Sequence, residues 1–337
     1  MRRALATVLV GMFLAAGNRG VAAAPVALPD FAVADRLIPR DPQPERNVDW
    51  PAGGNVAVTD VTYATYPGFR PLRLDLYRVT GDSTPRPLVV FAHGGGWSMG
   101  NPRAGAAFLD LPLILASLAQ RGYVVASIQY RLSGEAPFPA QLQDLREAVR
   151  FLRDNSARLG IDAARIGLWG MSAGAQFASL DAVSCGSSSP DPAKEAAART
   201  PCVQGFVGWF GSYDLNAYVA DAQKEISIRA LFRCGSEPCP AGVLAQASSI
   251  NFVDGKDPPM LLIHGTSDTS ALPTQSARFA ERLRAAGVPV ELLLIPDVNH
   301  GFIGATPATT RDATREALTA TFGFFDRLFA AKTTPAQ

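Results

Sequence analysis

The sequence predicts a three-layer α/β domain around a mostly parallel sheet of eight strands, the first two antiparallel. Three observations carry that prediction. Six short segments are almost continuously apolar, as strands are when helices cover both faces. Helical stripes alternate with them, which favours parallel strands joined by crossovers. Two earlier segments alternate apolar and polar residues, the pattern of half-exposed antiparallel strands. The chain has 337 residues, 47% of them hydrophobic and 18% charged. That is enough apolar material for one large core and too little charge for a disordered chain.

Taken in order, residues 1–23 have the pattern of an export signal. Arg2 and Arg3 precede the apolar run Ala4–Gly17, and Val21-Ala22-Ala23 offers small residues before a cleavage point. The run is about 14 residues, short of the roughly 20 that cross a bilayer. The expected product, residues 24–337, is secreted or periplasmic, with no stable membrane insertion once the signal is cut. Lys plus Arg number 31 and Asp plus Glu 30. Loss of Arg2, Arg3 and Arg19 leaves 28 basic residues against 30 acidic ones, so no nucleic-acid partner is expected.

Residues 25–55 read as a Pro-rich, extended leader. The alternating strands are Val56–Tyr63 and Leu72–Val79. The apolar strands are Leu88–Ala92, Val124–Tyr130, Ile166–Trp169, Phe206–Phe210, Met260–Ile263 and Val290–Ile295. Between them, residues 140–154 carry Leu142, Leu145, Val149 and Leu152 on one helical face. Residues 274–286 and 313–328 are patterned similarly. Residues 212–258 interrupt the alternation and are expected to form a small lid-like insertion within one catalytic domain. Cys185, Cys202, Cys234 and Cys239 form an even set in an exported chain. Of three connectivities the short loops Cys185–Cys202 and Cys234–Cys239 are favoured, because each pair shares one Gly/Ser/Pro-rich segment. A zinc site is disfavoured, since no His lies near Cys234 and Cys239 and the chain holds only three His.

Four strand ends carry unusual residues, and ligands of such sheets bind beyond the carboxyl ends of strands. Gly170-Met171-Ser172-Ala173-Gly174 is a G-x-S-x-G turn between a strand and a helix. It projects the serine hydroxyl into a cleft and leaves the Ala173 N–H at a helix start, where an anion is favoured. His93-Gly94-Gly95-Gly96-Trp97 ends another strand, with glycines whose N–H groups can approach an oxyanion. Asp268 follows the strand ending at Ile263, and His300 follows the one ending at Ile295. A serine needs a base, and the base needs a carboxylate to hold its tautomer. Ser172, His300 and Asp268 are therefore the expected catalytic set, with Asp297 and Asp257 the rival acids. His93 and His264 are expected to be structural, His264 packing beside the acid turn.

These motifs resemble the α/β-hydrolase superfamily. Within it the chain is similar to carboxylesterases of the hormone-sensitive-lipase type and to acetylxylan- and feruloyl-esterase-like proteins. The resemblance runs over most of residues 56–330 and includes Leu74-Asp75-Leu76-Tyr77, Tyr130-Arg131-Leu132, Pro137-Phe138-Pro139-Ala140 and His300-Gly301-Phe302. It implies an oxyanion hole of Gly95, Gly96 and Ala173. It also implies hydrolysis of short acyl or aryl esters through an acyl-enzyme, with no cofactor or metal. The expected substrate is a small ester or an esterified polysaccharide carrying acetyl or feruloyl groups. Arylformamide or amide hydrolysis by the same triad is the alternative, and a non-catalytic binding module is disfavoured because all three triad members are present. Two positions depart from the relatives: Met171 stands where a polar residue is usual, and Ala175 where Gly is usual. Trp97, Phe138, Trp209, Tyr213 and Phe302 lie near strand ends and are the candidate aromatic lining of a substrate pocket.

Overall fold

The computed structural model describes residue 28 and residues 56–81, 84–184, 200–219 and 222–330. The proposed signal, nearly all of the leader and Cys185 lie outside the described residues, and with Cys185 goes the expected Cys185–Cys202 bridge.

The described strands are β1 (Val56–Ala64), β2 (Leu72–Val79), β3 (Arg86–Ala92), β4 (Val124–Ile128), β5 (Ile161–Met171), β6 (Gly205–Trp209), β7 (Met260–Gly265) and β8 (Val290–Ile295). They form one eight-stranded sheet in the order β1-β2-β4-β3-β5-β6-β7-β8. β2 is antiparallel to both β1 and β4. Every other pairing is parallel. The carboxyl ends of β3, β5, β6, β7 and β8 therefore share one edge of the sheet.

The helices are α1 (Leu111–Gln120), α2 (Ala140–Asp154), α3 (Ser156–Leu159), α4 (Ala173–Ser184), α5 (Leu215–Tyr218), α6 (Ala222–Phe232), α7 (Ala241–Gln246), α8 (Thr274–Ala285) and α9 (Pro307–Phe329). Alternate residues of the central strands feed two cores. Leu88, Val90 and Ala92 of β3 pack with α2, α4 and α8. Val89 and Phe91 pack on the other face with α1 and α9. The stripe Leu142, Leu145, Val149 and Leu152 is wholly buried in the first of these cores.

Three differences from the sequence reading have physical causes. α1 was not foreseen, because LPLILASLAQ is apolar nearly all round and shows no single stripe. Asp110 caps it by accepting from the Leu113 N–H at 3.1 Å. β2 is buried on both faces rather than half-exposed, because α1 covers Tyr77. β8 is less buried than its sequence suggests, since it is the sheet edge and leaves Leu294 at 40% exposure.

Residues 212–258, expected as an insertion, include α5, α6 and α7. Ile228, Leu231, Leu244 and Ala247 bury into the same core as α4. The Phe138 N–H donates to the Leu231 carbonyl at 2.9 Å. A disulfide joins Cys234 to Cys239 with their Cα atoms 5.3 Å apart, closing the loop between α6 and α7. Among the described residues no helix is long and apolar enough to cross a membrane.

Leu145→Ala removes a central member of the α2 stripe and is expected to cost about 2–5 kcal/mol, read from urea unfolding. Leu294→Ala on the exposed edge is expected to stay within about 0.5 kcal/mol. Equal losses would contradict this assignment of core and edge.

Candidate active site

β5 ends at Met171 and α4 begins at Ala173, so Ser172 occupies the turn between them. Its φ is 52°, a left-handed conformation that is strained for a side-chain-bearing residue. Two backbone hydrogen bonds hold it: Ser172 N–H donates to Trp209 O at 2.9 Å, and Gln176 N–H donates to Ser172 O at 3.1 Å. Gly174 is required by close approach, because a Cβ there would overlap the carbonyl oxygens of Ala92 and His93 at the end of β3. The turn thus presents the hydroxyl above the sheet edge.

The ends of β7 and β8 supply its partners. His300 Nε2 lies 2.9 Å from Ser172 Oγ, and His300 Nδ1 lies 2.7 Å from Asp268 Oδ2. The carboxylate only accepts, so Nδ1 carries the proton and Nε2 is left to accept from the serine. Asp268 is 2% exposed. Its Oδ1 accepts from the N–H groups of Ser270 at 2.8 Å and Ala271 at 2.9 Å. Burial by itself would raise this carboxyl, but hydrogen bonds from His264 and His300 outweigh it and hold it well below the ordinary 3.8. The His300 ring meets Phe210 edge-on with centroids 4.7 Å apart.

The other carboxylates stand elsewhere. Asp257 precedes β7, at the opposite end of that strand from Asp268. Its carboxyl accepts from the Asp254 N–H, and burial pushes it up to about 7. Asp297 is exposed, and its backbone N–H donates to Thr266 Oγ1 at 3.0 Å. Asn299, which no motif marks, ties the His300 loop to the Asp268 turn: its Oδ1 accepts from His300 N at 2.7 Å and Thr269 N at 3.1 Å.

The glycine loop leaves β3 directly beside the serine, where a Cβ on Gly94 would come within 2.9 Å of Met171 O and 3.1 Å of Ser172 Cβ. His93 is buried, stacked on Tyr130 at 4.3 Å. The Tyr130 hydroxyl donates to His93 O at 2.9 Å. Trp97 is fixed by its indole N–H, which donates to Gln176 Oε1 at 3.0 Å. Gln176 in turn donates from Nε2 to Ala247 O of the insertion at 2.7 Å. Tyr218 of α5 meets Trp97 edge-on at 6.1 Å. Beyond the loop, Arg103 holds the buried Asp75 through two hydrogen bonds of 2.6 and 2.8 Å. Ala173 opens α4 directly after Ser172, and Gly95 and Gly96 both have positive φ, at 134° and 57°.

A family model described as BD-FAE matches residues 74–283. The chain belongs to the BD-FAE family. It is 30% identical to "Esterase LipQ" of Mycobacterium tuberculosis over 260 residues, covering 75% of this chain and 59% of LipQ. The chain thus spans less than two thirds of that relative's length. A "carbohydrate esterase from gut microbiota" superposes with a TM-score of 0.66 at 24% identity, over 82% of this chain and 98% of that one, and shows the fold alone. An "acetyl ester-xyloside bifunctional hydrolase" from Caldicellulosiruptor lactoaceticus superposes with a TM-score of 0.65 at 26% identity, over 80% and 96% of the two chains. The fold is that of an α/β-hydrolase.

The two positions expected to depart from the family pattern, Met171 and Ala175, lie in the core. Met171 is buried with Phe91 and Trp169, and the Ala175 methyl joins the core that α4 shares with α2. The aromatic residues expected near the strand ends are mostly buried. Trp97, Trp209, Tyr213 and Phe302 are at most 2% exposed. Trp209 donates to Thr321 Oγ1 at 2.9 Å and packs on Phe302, and Tyr213 stacks on Phe279 at 4.6 Å. Phe138, half-buried, packs on Phe232 of α6 at 5.3 Å. Aromatics at these strand ends fill the gaps between sheet, helices and insertion, because large rings bury the most apolar area per residue.

The depressed Asp268 carboxyl sets a pH dependence. The unfolded chain takes up a proton near 3.8 that the folded chain refuses, so the carboxylate's stabilising contribution is complete above 3.8 and is lost as pH falls through the lower folded value. Asp268→Asn is expected to flatten the fall in stability between pH ~4 and ~2, measured by urea unfolding. An unchanged slope would contradict the ionised, buried carboxylate.

Proposed function

We propose that this chain is an exported serine carboxylic-ester hydrolase acting through a Ser172–His300–Asp268 triad and an acyl-enzyme. The observation that carries the reading is the continuous hydrogen-bonded line from Asp268 Oδ2 through His300 to Ser172 Oγ, with steps of 2.7 and 2.9 Å. The Ser172 oxygen attacks the ester carbonyl while its proton passes to His300 Nε2. The N–H groups of Gly95, Gly96 and Ala173 stabilise the oxyanion; losing one such donor typically costs about 10²–10³ in rate. The imidazolium then protonates the leaving alcohol, and water repeats the sequence to release the acid and restore Ser172. Every proton and electron pair is accounted for by these groups, so the chemistry calls for no cofactor or metal.

The proposed substrates are short acyl or aryl esters, including acetyl or feruloyl groups on polysaccharide. Support comes from the structural neighbour named as an acetyl ester-xyloside hydrolase. A periplasmic or secreted site of action is supported by the Cys234–Cys239 disulfide and by the signal-like residues 1–23.

The test is hydrolysis of p-nitrophenyl esters of rising chain length, beside methyl ferulate, acetylated xylan and an aryl formamide. The expected result is hydrolysis of p-nitrophenyl acetate and butyrate, with kcat lowered about 10⁴-fold or more in Ser172→Ala. Full activity in that variant would overturn the mechanism, and preference for the formamide would overturn the ester assignment.

A further inference from the structure

His264 closes β7 and is fully buried, yet its ring does more than fill space. Its Nε2 faces two oxygens, Ala271 O at 2.8 Å and Asp268 Oδ2 at 3.2 Å. A carbonyl and a carboxylate both only accept, so Nε2 carries a proton and shares it between them. Nδ1 lies 2.7 Å from Ser276 Oγ on α8. In the neutral ring that nitrogen accepts, so the Ser276 hydroxyl donates to it and selects the tautomer that points N–H at Asp268. The titratable groups near this ring include Asp268, His300 across that carboxylate, and the Tyr213 phenol, which burial keeps protonated and which lies against Ser276.

A carboxylate turns readily about its last torsion, which has only broad preferences. Here Oδ1 is held by two backbone N–H groups and Oδ2 by two imidazoles. One of those imidazoles, His300, is the group that takes up and gives back a proton in each half of the proposed reaction. The other is anchored at the end of a buried strand and exchanges nothing. We propose that His264 is a positioning residue for the triad: it holds Asp268 Oδ2 toward His300 and draws off part of the carboxylate charge, so that the His300 imidazolium yields its proton to the leaving alcohol. The inference rests on the triad reading given above.

Both effects are open to measurement, because a role in positioning and charge sharing moves a pH profile that a purely packing role leaves in place. The experiment is kcat/KM for p-nitrophenyl acetate against pH, using the full chain and active-site-titrated protein. The proteins compared are wild type, His264→Leu, His264→Gln and Ser276→Ala. His264→Leu is expected to lose about tenfold or more in kcat/KM, the scale of one hydrogen bond to a charged group. Its acid limb is expected to move up by about half a pH unit, because the unshared carboxylate charge holds the imidazolium proton more firmly. His264→Gln places an amide N–H near the Nε2 position and is expected to recover most of the rate and the original limb. Ser276→Ala is expected to shift the limb in the same direction by less. An unmoved acid limb in His264→Leu would overturn the proposal, as would His264→Gln behaving like His264→Leu. If His264→Leu does not fold, an unmoved limb in Ser276→Ala would overturn it instead. An inactive wild type would overturn the ester-hydrolase reading itself, whereas an active wild type with unshifted variants would overturn only the role of His264.

Discussion

The left-handed turn at Ser172 is the constraint on which the site depends. A conformation of that kind costs about 1–3 kcal/mol for a residue with a side chain and persists only when its surroundings over-determine it. Here they do. The serine N–H is bonded to the end of β6, its carbonyl to the first turn of α4, and Gly174 is pressed against the end of β3. The turn therefore forms only where three neighbouring strands end together. The strand order that places β3, β5 and β6 side by side also puts β7 and β8 next along the same edge. Asp268, His300 and the glycine loop arrive at the serine as a consequence of topology, from positions as far apart in the chain as Gly94 and His300.

Burial is the second requirement, and it works against the chemistry unless it is compensated. Asp268 loses nearly all contact with water. An unpaired carboxylate in that position would take up a proton rather than remain charged. Four donors prevent this: two backbone N–H groups from its own turn and two imidazoles. Asn299 links the acid turn to the base loop, so the two move together. The glycine loop is steadied from the other side by Trp97, whose indole is bonded to Gln176, which is bonded in turn to the insertion. Ala247, through Gln176, thus braces Trp97 behind the loop.

Much of this was legible in the sequence. Glycine-flanked Ser172, the His93–Trp97 loop, Asp268 and His300 each stand immediately after an apolar run, and a strand end is a local signal. The stripe at Leu142, Leu145, Val149 and Leu152 marked α2 for the same reason. What stayed hidden depends on partners distant in the chain. Trp97 and Gln176 are 79 positions apart, and Asn299 and Thr269 are 30 apart, so no periodicity announces either bond. α1 was missed because it is covered on nearly every side and its apolar residues form no stripe. Closeness to a strand end says nothing of which way an aromatic ring turns. Trp209 and Phe302 turn inward, onto each other.

The central claim is that Ser172 is a nucleophile made reactive by His300. Treating the protein with paraoxon and locating the adduct by peptide mass spectrometry tests it most directly, because the phosphorus is attacked by the same oxygen and the product is stable. The account predicts a single diethylphosphoryl group, on Ser172, with matching release of p-nitrophenol and much slower labelling in His300→Gln. A protein that stays unlabelled, or one that carries the group on another residue, would contradict it.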